Sequence, residues 1–70
     1  MTVANQVKEA LGTLISAQAS LEQFTQKAQN EKTKQIYSNA AAEIKDIIVH
    51  LDNRLTTIEQ EEPQYRNLEH

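Results

Sequence analysis

The stretch QNEKTKQ, Gln29 to Gln35, holds no apolar residue, no glycine and no proline. Long segments with helical periodicity lie on both sides of it. Either the chain turns back here, or one very long helix runs straight through. That choice decides the fold.

Before the stretch, apolar residues fall at Val3, Val7, Ala10, Leu14, Ala17, Leu21, Phe24 and Ala28. The steps alternate between four and three, which is a heptad seam on one helix face. Leu11 and Ile15 lie beside this seam and widen it. Thr2 is placed to cap the helix, because its hydroxyl can accept from a free N–H of the first turn. After the stretch, Tyr37, Ala41, Ile44, Ile48, Leu51, Leu55 and Ile58 repeat the pattern, widened by Ile36, Ala40 and Ile47. Pro63 is expected to end this second helix, since it has no N–H and biases Glu62 away from helical geometry.

The two seams are out of phase. Continuing the first heptad puts Glu31 and Gln35 at core positions, and the second seam starts only at Ile36 and Tyr37. A hairpin turn removes the conflict. Asn30 can close the first helix in left-handed geometry or cap the second. The predicted fold is therefore all-α, an antiparallel hairpin with helix one over 3–28, a turn over 29–33, helix two over 34–62 and a tail over 63–67. Leu68-Glu69-His70 reads as a cloning junction followed by the first residue of a histidine tag. With no Gly or Pro to force the bend, a continuous helix in a domain-swapped dimer is the other arrangement.

Arms of this length would be about 40–45 Å long. Two such helices bury only one seam, and a chain of 70 residues has little core to spare. Leu11, Ile15, Ile36, Ala40 and Ile47 would stay wet. The expectation is a homodimer in which these residues close an antiparallel four-helix bundle. Glu59, Glu61 and Glu62 sit at the unfavourable negative end of helix two. The hairpin would bring them beside the start of helix one and Lys8.

Bulk composition excludes several classes. The formal charge is −3, with ten acidic and seven basic residues. That balance argues against a nucleic-acid partner, which needs clustered Lys and Arg. There is no cysteine, hence no disulfide and no thiolate site. No apolar run approaches the ~18 residues of a membrane span, and no signal peptide is evident at the start. A cytoplasmic location without direct membrane insertion is the reading that follows.

Four blocks carry a family resemblance: MTVANQVKEAL at the start, AQASLEQF in helix one, KQIY after the turn and IEQEEPQY at the end. Together, over Met1 to Tyr65, they resemble the family catalogued as domain of unknown function 1657, short proteins found mainly in spore-forming Firmicutes. Genes of that family often lie near those for spore membrane channel proteins and other spore-associated membrane proteins. The resemblance implies a sporulation or germination setting, with a spore membrane-protein partner and a forespore or spore-core location. It implies no catalytic residue.

Candidate sites are few. Glu43, Asp46 and His50 share one helix face and could contribute metal ligands; a solvated polar face is the plainer reading. Phe24 and Tyr37 flank the turn, as packing or as the lining of a ligand cavity. Ala40-Ala41-Ala42 and AQAS (Ala17 to Ser20) read as packing devices. EEPQY, Glu61-Glu62-Pro63-Gln64-Tyr65, is the candidate partner motif, against the reading that it is a frayed tail. No nucleophile-base arrangement, phosphate loop or inward pair of acids points to catalysis, and no cofactor is implied. The expected function is a non-enzymatic helical interaction protein, with a small ligand- or metal-binding bundle as the alternative.

Overall fold

The architecture comes from a computed structural model, which describes the backbone of residues 2–69 and the side chains of residues 2–61. Two helices, α1 (Val3–Lys27) and α2 (Glu31–Glu69), pack against each other as a hairpin, with no strand among the described residues. The molecule measures 58 × 17 × 10 Å. Its long axis matches the 39 residues of α2 at ~1.5 Å per residue.

The polar stretch does turn the chain, and the turn is shorter than expected. Between the two helices only Ala28, Gln29 and Asn30 lie outside helix. Helix one ends at Lys27, and helix two begins at Glu31 instead of residue 34. The cause is Asn30. Its Oδ1 accepts from Thr33 N–H at 3.1 Å, and its carbonyl accepts from Lys34 N–H at 3.0 Å. As an N-cap it makes Glu31–Thr33 the first turn of α2 and places Glu31 at the positive end of the helix. No described residue has positive φ, so left-handed closure by Asn30 is not used. Ala28 leaves α1 in extended geometry, with its N–H on the Phe24 carbonyl at 2.9 Å. Thr2 caps α1 as the sequence indicates, accepting from Asn5 N–H at 3.2 Å.

Pro63 does not stop α2, which runs to Glu69. The proline removes one backbone bond, the one to the Glu59 carbonyl. Glu59 is exposed, so water can serve that carbonyl. The residues around Pro63 are mostly good helix formers. The segment 63–67, expected as a tail, is thus helical.

On α2 the seam is the predicted one. Ala41, Leu55 and Ile58 are buried, and Tyr37, Ile44, Ile48 and Leu51 are partly buried. On α1 the seam is rotated by one position. The residues that face α2 are Ala4, Val7, Leu11, Leu14, Gln18, Leu21, Thr25 and Ala28. Val3, Ala10 and Phe24 are exposed instead. The rotation puts Leu11 rather than Ala10 into the cluster with Ala4, Leu55 and Ile58, against which Val7, Ile48 and Leu51 pack. Burying leucine in place of alanine gains apolar area, at ~25 cal/mol per Å2. The accompanying cost is modest. Gln18 and Thr25 take seam positions, but the Thr25 hydroxyl donates to the Leu21 carbonyl at 2.8 Å, and no buried polar side-chain atom among the described residues lacks a partner.

Leu11→Ala is therefore expected to cost about 2–3 kcal/mol, read as a lower urea midpoint. Val49→Ala, at a site 51% exposed, should change stability by less than ~0.5 kcal/mol. Equal sensitivity at the two positions would contradict this rotation of α1.

Candidate interaction surface

Each seam has two flanks. One lies a position before the seam residues and holds Val3, Ala10, Ala17 and Phe24 on α1, with Ala40, Ile47, Arg54 and Glu61 on α2. The other lies a position after and holds Lys8, Ile15 and Glu22 on α1, with Ser38, Lys45, Asp52 and Glu59 on α2. Two contacts place these residues on common sides of the hairpin. Lys8 Nζ lies 3.2 Å from Glu59 Oε2. Glu22, Ser38 and Lys45 line one groove with Gln18 and Thr25. The polar flank is thus continuous across both helices. The apolar flank lies on the opposite side, where the Phe24 ring meets the seam residue Tyr37 at 5.7 Å between centroids and 50° between planes.

The Lys8–Glu59 pair answers the question raised by the acidic end of α2. Glu59 does reach the start of α1. Both side chains are about half exposed, so the pair contributes only ~0–1 kcal/mol and serves mainly to set register. At the turn, Lys34 Nζ lies 3.8 Å from Glu31 Oε1, a pair too exposed to add much.

The five residues assigned to a dimer interface separate into three groups. Leu11 is 8% exposed within one hairpin and has no surface left for a second copy. It is a core residue, drawn inward by the rotation of α1. Ile15, 55% exposed, lies on the polar flank. Ile47 (47% exposed) and Ala40 lie on the apolar flank, with Ile36 (58% exposed) one turn before Ala40. Sequence reasoning missed Val3, Ala10 and Phe24 as surface, because it had placed them in the core; Ala17 is partly buried. Comparing residue sizes in the two possible registers would have exposed the choice.

Glu43, Asp46 and His50 are all exposed on α2, outside the hairpin seam. His50 Nδ1 is 2.7 Å from the Asp46 carbonyl, which can only accept, so Nδ1 carries the hydrogen in that contact. Among the described residues no three such side chains come together to hold a metal ion. Of the segment Glu61-Glu62-Pro63-Gln64-Tyr65, Glu61 is exposed, and the other side chains lie outside the described residues.

Two concavities among the described residues are surface grooves. The groove at Gln18, Glu22, Thr25, Ser38 and Lys45 has a volume of about 360 Å3 and lies over the small residues Ala41 and Ala42. A second, of about 240 Å3, lies at the turn between Phe24, Lys27, Ala28, Thr33 and Tyr37. Among the described residues no helix is long and apolar enough to cross a membrane.

A model of a family described as a protein of unknown function, DUF1657, matches residues 7–55. The chain belongs to that family. The matched stretch spans the turn and most of both seams. The closing block IEQEEPQY and part of the opening one lie beyond it, so the DUF1657 match is narrower than the resemblance read over Met1 to Tyr65. No curated protein and no solved structure matches the chain.

Adding Zn2+ or Ni2+ is expected to leave the unfolding midpoint of this DUF1657 protein unchanged. A metal at a hundred times its Kd would stabilise the fold by ~2.7 kcal/mol, so thermal melts with and without metal would reveal a site at the Glu43, Asp46, His50 face.

Proposed function

We propose that this protein is a non-enzymatic helical interaction module that works as a homodimer, two hairpins closing an antiparallel four-helix bundle. The observation that carries the reading is the exposure of its large apolar side chains. Val3, Ile15, Phe24, Ile36, Ile47 and Val49 are each 47% exposed or more, while among the described residues only Ala4, Leu11, Ala41, Leu55 and Ile58 form the core. A core this small is marginal for an independent domain, and pairing is the common remedy. The grooves described above are open to solvent, a form that suits contact with another protein surface better than enclosure of a small substrate.

The cellular setting of the proposal is sporulation, in the cytosol or the spore core, with a spore membrane-protein complex as the partner of the dimer. Its support is the family resemblance.

Light scattering on the eluting protein is expected to return the mass of two chains, with helix content rising together with dimer fraction. A folded, stable single chain at all concentrations would overturn the reading. Pull-down from sporulating cells is expected to recover a membrane protein. Recovery of a bound metal or small molecule alone would favour a ligand-binding bundle instead.

A further inference from the structure

We infer that the second copy of the chain docks on the flank formed by Val3, Ala10, Ala17 and Phe24 of α1 with Ala40 and Ile47 of α2. The inference rests on the homodimer proposed above and assigns its surface. Three observations carry it.

The first is the thin core. Among the described residues only Ala4, Leu11, Ala41, Leu55 and Ile58 are buried hydrophobics, while Val3, Phe24 and Ile47 on this flank are 58%, 47% and 47% exposed. A chain of this size with so little core is commonly completed by a second copy.

The second is the contrast between flanks. The opposite flank carries Lys8, Glu22, Lys45, Asp52 and Glu59, with Ile15 as its one large apolar side chain. Covering it would desolvate those charges. On the docking flank Ala17, Phe24, Ala40 and Ile47 form an apolar stretch, with Lys27 and Glu43 at its outer edge and Arg54 and Glu61 at its far end.

The third is shape. Alanine at positions 10, 17 and 40 leaves shallow places between Val3, Phe24 and Ile47. A two-fold pair presents the same patch from both copies. Large side chains of one copy can then enter the alanine positions of the other, at ordinary helix–helix distances of ~8–10 Å.

The chain has no cysteine, so single cysteines report cleanly. Maleimide labelling of Ala17→Cys should slow at least tenfold between dilute protein and concentrations where light scattering finds two chains. Labelling of Ile15→Cys should not change. Ala17→Glu should elute with the mass of one chain where the wild type and Ile15→Glu elute with the mass of two. A two-chain wild type whose Ala17→Cys labels at a constant rate, or whose Ile15→Cys is the protected position, overturns the assigned flank and leaves the dimer standing. A wild type that stays single at every concentration overturns the dimer and this inference together.

Discussion

The packing of Leu11 against the Leu55 and Ile58 end of α2 sets the rotation of α1, and the remaining surfaces follow from that rotation. Two antiparallel helices share one seam. Once Leu11 points inward, heptad geometry turns Ala4, Val7, Leu14 and Leu21 inward with it. The same turn carries Val3, Ala10 and Phe24 out to one side and brings Gln18 and Thr25 into the seam. An apolar flank and a polar groove are thus two results of one packing choice.

The hairpin is held unevenly along its length. Its aliphatic core lies toward the open end, where Ala4, Leu11, Leu55 and Ile58 gather and Lys8 meets Glu59. The turn end is held by the Asn30 cap and by the Phe24–Tyr37 contact. Between them the seam is thin. Gln18 and Thr25 face Ala41 there, and a groove of about 360 Å3 opens along the polar side. Local opening should begin where few apolar contacts cross. A second copy on the apolar flank would cover this weak middle from the other side.

How much was legible in the sequence differs between the helices. On α2 every seam position from Tyr37 to Ile58 is apolar, so only one register satisfies the pattern, and it is the one seen. On α1 two registers compete. The register through Val3, Ala10, Ala17 and Phe24 is apolar at every step. The observed register accepts Gln18 and Thr25 in return for Leu11. Counting apolar residues favours the first, whereas side-chain volume favours the second, because Leu11 has Leu55 and Ile58 to pack against. The turn was legible as a region, from the phase break between seams. Its bounds depended on which role Asn30 would take, and hydrophobic periodicity carries no information on that. Pro63 misled for a related reason: a solvent-facing carbonyl can spare its helical partner.

Closed hairpin and swapped dimer use the same seam, so seam contacts cannot separate them. The connection can. In a continuous helix Asn30 would sit in mid-helix, and its side chain would give up the Thr33 N–H, a cap typically worth about 1 kcal/mol. Ala28 would have to leave its extended geometry for a helical one. Against this, a continuous helix regains a few backbone bonds through an exposed polar stretch, where water can satisfy the same groups in the turn. Ring contact between Phe24 and Tyr37 also requires the chain to turn within one copy, or two copies to meet at the hinge. A capped three-residue turn with no strained backbone makes the intrachain solution the cheaper one. The polar stretch that first raised the choice thereby acts through one side chain, that of Asn30.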